Sequence, residues 1–333
     1  MTAATPSALP VLILHTGDPD DTLKSQFGGY AEQIMTAAGL AASNVEIVAV
    51  YEGQRPQASS SYRAALITGS PAMVTDKEPW SEDTAAWLRE AVDAGLPMFG
   101  VCYGHQLLAH ALGGKVGYNP SGREVGTQTV ELLPTASGDP LMAGVPSTFP
   151  AQMLHAQTVL QLPPGAAVLA RSDLDPHQMI RIGRNIFSTQ FHPEFGPDFV
   201  RAHLERYGRR YAAENLDMPD LSANVRATPV AAGLFVFFWS QKAPMVPLYT
   251  GLDDKATAQA TDLLRAAQIP FKLDAATGAI TVPEANVHDA RLKLAGSGLT
   301  DSGRLGFELM ERDPGFGVSQ FVESARYQHA LET

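Results

Sequence analysis

Residues 98–112 read MFGVCYGHQLLAHAL. An apolar run of strand length, Met98–Val101, passes with no room for a loop into a helical pattern, His105–Leu112. A strand that gives way so abruptly to a helix leaves Cys102 on a sharp turn, its side chain projecting above the end of a sheet. Gly100 and Gly104, two positions to either side, remove the Cβ atoms that would obstruct that turn. The thiol also lies at a helix N-terminus, where the backbone dipole favours a thiolate. Taken alone, the segment fits a buried structural cysteine as well as a nucleophile. What it constrains is the architecture, since a strand–turn–helix of this kind belongs to a sheet wound with helices.

The flanking sequence continues the alternation. Val11–Leu14 and Ala64–Thr68 are short apolar runs closed by Thr16-Gly17-Asp18 and Gly69-Ser70-Pro71, and Val45–Val50 alternates as a strand. Helical spacing predicts helices over Phe27–Ala41 and Trp80–Ala94, the second with Ser81 as N-cap and Gly95-Leu96-Pro97 as its stop. The order predicts a doubly wound, mostly parallel α/β sheet. Strands follow at Val125–Leu133, Ala151–Leu154, Val168–Ala170 and Ile186–Gln190, then a helix from Asp198 to about Ala213. Leu216–Ser222 reads as polar loop, and Thr228-Pro229 opens a short apolar helix. Beyond Gln241 the pattern changes to a small, separate β-α-β-β-α unit: Met245–Leu248, Asp253–Ala267, a hairpin of Phe271–Leu273 with Ala279–Val282, and Glu284–Ala295.

A second chemical signal lies at Gln190-Phe191-His192-Pro193-Glu194-Phe195. In an extended segment, residues two apart point the same way, and the intervening proline stiffens the pair. His192 then qualifies as a general base and Glu194 as the carboxylate that orients it. No second histidine or cysteine falls at ligand spacing, so no metal or other cofactor is expected.

Composition excludes several other classes. The formal net charge is −11 with no basic run, which argues against nucleic-acid and anionic-membrane partners. Cys102 is the single cysteine, so an intrachain disulfide is ruled out and a reducing compartment is expected. The N-terminus lacks a basic region before its apolar run and reads as no signal peptide. No stretch reaches the roughly 18–20 apolar residues of a spanning helix, Val230–Trp239 coming closest.

Together, Met98–Val116 (MFGVCYGHQLLAHALGGKV) and Phe187–Phe195 (FSTQFHPEF) resemble the two signatures of class I glutamine amidotransferases. The resemblance runs from about Val11 to about Leu234 and includes LITGSP at Leu66–Pro71, DKEPW at Asp76–Trp80, GREVG at Gly122–Gly126 and LQLPPGAAVL at Leu160–Leu169. It implies a flavodoxin-like sheet with an added antiparallel part, and a triad of Cys102, His192 and Glu194. It further implies an oxyanion hole from the backbone at Gly69, Ser70 and Tyr103, and Gln106 as a substrate-holding residue. Many relatives carry His-x-Asp where this chain has His155-Ala156-Gln157, so His155 stands as either a substrate-binding or a packing residue. His15, His105, His110 and His177 read as structural. The implied substrate is glutamine or another γ-glutamyl amide or peptide, in the cytoplasm. No ATP-pyrophosphatase signature is present, so the resemblance is to the stand-alone, GMP-synthase-like branch, with an unidentified ammonia-accepting synthase as an implied partner.

Residues from about Ala231 onward resemble a different family, the N-terminal part of the flagellar MS-ring protein (FliF family). The stretches AAGLFVFFWSQKAPMVPLYTGLDDKATAQATDLLRAAQIPFKLD, GAITVPEANVHDARLKLAGSGL and GFGVSQFVESARYQHALET carry that likeness. It implies a periplasmic ring-building module that self-associates. Ala231-Ala232-Gly233-Leu234 suits both families and marks the junction of a fusion. The domain division expected from sequence is therefore 1–225 for the amidotransferase, 226–243 for an apolar junction helix, 244–300 for the ring-building module and 301–333 for a loosely ordered tail. The functional readings are an amidase, a structural assembly fragment with a passenger amidase, and an amidase fold that binds glutamine without turnover, against which the intact triad argues.

Overall fold

A computed structural model describes residues 9–231 and 233, with segments 245–249, 254–267, 269, 271–274, 278–283 and 286–295. The chain divides into two compact units, residues 1–241 and 242–333.

Among the described residues of the first unit, a nine-stranded sheet has the order β2-β1-β3-β4-β11-β10-β9-β6-β7. Its strands are β1 (Val11–His15), β2 (Val45–Ala49), β3 (Ala64–Ile67), β4 (Met98–Val101), β6 (Glu124–Leu132), β7 (Thr148–His155), β9 (Ala166–Arg171), β10 (Met179–Ile182) and β11 (Ile186–Thr189). Pairings from β2 across to β11 are parallel, and those from β11 onward to β7 are antiparallel. Two short strands, β5 (Lys115–Tyr118) and β8 (Gln157–Gln161), pair separately. Every residue of β1, β3 and β4 is buried, as expected for parallel strands covered on both faces. Alternation splits them between two cores. Val11, Ile13, Leu66 and Phe99 pack on one face, and Leu12, Leu14, Ala65, Ile67 and Met98 on the other.

The helices are α1 (Asp21–Phe27), α2 (Tyr30–Ala37), α3 (Pro79–Asp93), α4 (Tyr103–Ala111), α5 (Pro197–Ala213) and α6 (Met218–Asn224). The helix expected over Phe27–Ala41 is the shorter α2, and α1, which the sequence reading did not foresee, precedes it and ends at Phe27. Gly28 takes φ +83° and breaks the chain there, and Asp20 caps α1 by accepting from Thr22 N and Leu23 N. Helix α3 opens at Pro79, not after Ser81, whose buried hydroxyl instead meets Tyr103 Oη at 2.6 Å. Most of the expected loop at Leu216–Ser222 is helical instead, since α6 begins at Met218 and runs beyond it, capped by Asp217 accepting from Asp220 N. Residues 229–231 are helical, and Ala231 is fully buried in the main core. The rest of the apolar run from 234 onward and the tail 301–333 lie outside the described residues.

In the second unit, β12 (Met245–Tyr249), β13 (Lys272–Leu273) and β14 (Ile280–Pro283) form an antiparallel sheet in the order β12-β14-β13, with α7 (Asp254–Ala266) and α8 (Val287–Ala295). This is the β-α-β-β-α order read from sequence. Leu248, Leu264, Ile280, Val282 and Leu294 make its core. No helix among the described residues is long and apolar enough to cross a membrane.

Candidate active site

The carboxyl ends of the parallel strands converge on one cleft, the position at which open α/β sheets bind ligands. Thr16 follows β1, Gly69 follows β3, Cys102 follows β4 and His192 follows β11.

Cys102 sits between β4 and α4 with φ +50° and ψ −99°. A non-glycine residue in this region is strained and persists only where its surroundings over-determine it. Two glycines do so here. A Cβ on Gly104 would come within 2.5 Å of Ile67 O, and one on Gly100 within 2.6 Å of Gly104 backbone atoms. The turn is also tied to the next strands, as Cys102 N donates to Thr189 O (2.8 Å) and Gly104 N to Thr68 O (3.2 Å).

His192 Nδ1 lies 2.8 Å from Glu194 Oε1. Both side chains are almost wholly buried. The backbone N of His192 donates to Gln152 O on β7, and its ring stacks on Phe195 at 4.2 Å and 11°. Burial alone would push the imidazole down, but the Glu194 carboxylate and the hydrogen-bonded Cys102 sulfur push it up to about 10. At neutral pH the site therefore holds an imidazolium between a carboxylate and the sulfur.

The loop after β3 is clamped from β1. Thr16 Oγ1 donates within hydrogen-bond distance of Gly69 O (2.9 Å), and Ser70 Oγ donates to Thr16 O (2.7 Å). A Cβ at Gly69 would come within 3.0 Å of His192 Cε1, so glycine lets the loop lie against the imidazole. Tyr103, first residue of α4, is fixed by stacking on Trp80 (5.6 Å). Gln106 stands one helical turn beyond Cys102, on the same face of α4. Its Nε2 donates to Gln157 O (2.8 Å) and Gln190 Oε1 (3.0 Å).

Cys102, Ser70, Tyr103, Gln106, His155 and His192 line one cleft. Gly69 approaches that wall through His192. His155 is 3% exposed, and its ring nitrogens meet Glu124 Oε2 (3.0 Å) and Gln157 O (3.1 Å). Of the histidines read as structural, His105 is fully buried and meets Ser188 Oγ at 2.9 Å, and His110 meets Glu82 at 2.9 Å. Sequence reasoning did not single out Thr16, Gln152, Gln190 or Phe195. The last two stand inside the quoted FSTQFHPEF segment, but nothing local marks Thr16 or Gln152.

The glutamine amidotransferase class-I family model matches residues 26–205, just over half of the chain. The chain belongs to this family. A second model, the FliF N-terminal domain, matches residues 245–299. Among curated relatives, the GMP synthase of Thermomicrobium roseum is 39% identical over 132 residues, which are 40% of this chain and 23% of that protein. Gamma-glutamyl peptidase 5 of Arabidopsis thaliana is 26% identical over 59% of this chain and 79% of its own length. The flagellar M-ring protein of Escherichia coli is 36% identical over 35% of this chain and 21% of its own. The chain thus spans under a quarter of the GMP synthase and of the M-ring protein. A solved glutamine amidotransferase from Thermotoga maritima shares the fold, with a TM-score of 0.56 over 70% of this chain and 99% of that one, at 20% identity.

Proposed function

We propose that this chain is an amidohydrolase that cleaves the side-chain amide of glutamine, or of another γ-glutamyl compound, through a thioester on Cys102. The observation that carries the reading is the convergence of a strained Cys102, a raised His192 and an ion-paired Glu194 at one cleft. In this reading His192 takes the thiol proton and the Cys102 sulfur attacks the amide carbon. Glu194 holds the imidazolium, which then protonates the departing ammonia. The oxyanion meets the backbone N–H of Tyr103 and one at Gly69-Ser70. Loss of a single such donor typically costs about 10²–10³ in rate, so the Thr16 clamp on that loop matters to catalysis. Neutral His192 finally activates water, and glutamate leaves. Gln106 and His155 serve substrate binding.

The likeness to gamma-glutamyl peptidase 5 extends the substrate range to γ-glutamyl peptides. The likeness to GMP synthase supports glutamine as substrate and a separate ammonia-accepting synthase as partner. We place this activity in residues 1–225 and in the cytoplasm, with 226–243 as junction. The test is ammonia release from glutamine and several γ-glutamyl peptides. Cys102→Ala abolishes it, and retained activity in that variant sinks the reading.

A second reading is favoured by one observation, the FliF N-terminal match at 245–299. It makes residues 244–300 a self-associating module of periplasmic ring type, with 301–333 as its tail and the amidase as passenger. Sizing the full chain against residues 1–241 separates the readings, because only the assembly reading requires the oligomer to be lost.

A further inference from the structure

Five hydroxyl side chains line the cleft, those of Tyr30, Ser70, Tyr103, Tyr207 and Tyr211. Four of them have partners. Ser70 Oγ donates to Thr16 O (2.7 Å), and Tyr103 Oη meets Ser81 Oγ (2.6 Å). Tyr207 Oη donates to Asp20 Oδ2 (3.1 Å), and Tyr211 Oη meets His203 Nε2 (2.7 Å). Tyr30 is 9% exposed, yet its hydroxyl meets no hydrogen-bond partner among the described residues. A polar group taken out of water without a partner is a cost. Beside a nucleophile, such a group is free for whatever the nucleophile acts on.

Tyr30 is held firmly in its place. It is the first residue of α2, directly after the Gly28-Gly29 turn. Its backbone N donates to Asp18 Oδ1 (3.2 Å), and Asp18 is itself held by Lys24 Nζ (2.7 Å) and His15 Nε2 (3.1 Å). A Cβ at Gly29 would come within 2.5 Å of Asp18 Oδ1, so glycine lets this carboxylate reach the start of the helix. The Tyr30 ring packs on Phe195 (5.7 Å) and Phe199 (6.4 Å), and Phe195 in turn stacks on His192. Tyr30 therefore enters the cleft on the side of His192. Burial, with the negative charge of Cys102 and Glu194 nearby, pushes its phenol up, so it keeps its proton through the reaction.

The His192 side of the cleft is where the second half of the proposed reaction takes place. His192 Nδ1 is occupied by Glu194, so Nε2 is the nitrogen that exchanges protons. The departing nitrogen reaches that position already fixed by its covalent bond to the substrate. The water that follows it is held by a single hydrogen bond to Nε2 and has no other tether. A second anchor fixes its direction of attack, which is worth most for the reactant with most freedom to lose. One water hydrogen goes to His192, and the other needs an acceptor. A phenol oxygen offers one without withdrawing the lone pair that must attack.

We propose that Tyr30 is a further catalytic residue, whose hydroxyl oxygen accepts from the water that hydrolyses the Cys102 thioester. In that step Nε2 of neutral His192 takes one proton of the water, and the water oxygen bonds to the acyl carbon. The carbon–sulfur bond then breaks, its electron pair returns to Cys102 as thiolate, and the free carboxylate product leaves. Tyr30 neither gains nor loses a proton. The role rests on the amidohydrolase reading above, since it acts on the thioester that the reading requires.

The experiment follows the full chain and its Tyr30→Phe variant, each mixed rapidly with L-glutamine or γ-glutamyl-alanine and quenched in acid. The mass of the quenched protein reports the glutamyl thioester, and ammonia, alanine and glutamate are measured beside it. Decay of the thioester is expected to slow about tenfold in Tyr30→Phe, the size of one lost hydrogen bond. kcat/KM, which is set by steps up to thioester formation, stays at the parent value. Hydroxylamine, a stronger nucleophile than water, brings thioester decay in the variant back toward the parent's and yields γ-glutamylhydroxamate. Phenylalanine keeps the ring contacts, so the urea midpoint of the variant matches the parent's. Decay at the parent rate overturns the proposal. So does a fall in kcat/KM as large as the fall in decay, or a lowered urea midpoint, since either marks the hydroxyl as part of the packing. If the parent forms no thioester and releases neither ammonia nor alanine, the amidohydrolase reading fails and takes this role with it. A parent thioester that decays no faster than the variant's sinks the role of Tyr30 alone.

Discussion

Cys102 carries a Cβ at φ +50°, and His192 carries a proton at neutral pH in a site with almost no exposure to water. Both are costs accepted at one point of the molecule. The His192 cost has a pH signature. Its imidazole is raised from 6.5 to about 10 by Glu194 and Cys102 against the effect of burial. A group raised in the folded state contributes stability that is complete below its unfolded value and is lost as pH rises through its folded value. The folded chain should therefore lose stability between about pH 6.5 and 10. Urea unfolding across that window, on the parent and on His192→Gln, checks it. The parent curve falls more steeply than the variant's, and parallel curves refute the shift. The pairing of His192 with Glu194 was legible because i and i+2 share a side of an extended segment. The stack on Phe195 and the backbone tie to Gln152 were not, because both depend on how the segment meets α5 and β7.

At the scale of elements, the β4–α4 junction is where local sequence and packing agree most closely. Gly104 lies in van der Waals contact with Ile67 of β3, and Gly100 with Gly104 itself. A Cβ at Gly104 has backbone in its way, so Gly104→Ala should destabilise the chain by about 1–3 kcal/mol, as overpacking does in a well-packed core. Gly208 supplies the opposite sign. It sits within α5 with Met218 Cε 3.5 Å from the position of an added Cβ, an ordinary contact. Gly208→Ala should stabilise by about 0.5–1 kcal/mol through helix propensity. Thermal and urea unfolding of the pair test both signs, and a neutral Gly104→Ala would mean that the junction is looser than its distances. Helix ends were the least legible feature. Gly28 delays to Tyr30 the helix expected from Phe27, and Pro79 opens α3 ahead of the cap expected at Ser81.

For the whole molecule, the two units have separate cores, and every residue placed in the candidate site lies before Gln241. Ala231 is fully buried in the main core, and Gln152 Nε2 donates to Arg226 O. The first unit therefore uses the chain past residue 225, the end expected from sequence. A chain cut after Gln241 should fold and release ammonia within about twofold of the full chain's kcat/KM, as an independent domain would. A chain cut after Val225 should be less stable. Ammonia assays and unfolding curves on the two truncations decide this, and a dead 1–241 fragment would make the second unit part of the enzyme.

What the sequence determined by itself is short-range. A strand that runs into a helix at Gly-Val-Cys-Tyr-Gly and an extended His-Pro-Glu specify their own geometry, because the residues involved are neighbours along the backbone. The alternation of apolar runs and helical stretches specified the sheet class for the same reason. Only the tertiary structure decided which ends meet. β11 lies beside β4 in the register Val101 to Thr189, and that places His192 at Cys102. β1 beside β3 lets Thr16 clamp Gly69. β6 opposite β7 puts Glu124 against His155, and the Gln157 carbonyl that meets His155 also accepts from Gln106. The contacts of Thr16 with Gly69, Glu124 with His155 and Gln106 with Gln157 each join residues 31 or more positions apart. Hydrogen-bond register across a sheet is set by the packing of both its faces at once, which no stretch of sequence encodes alone.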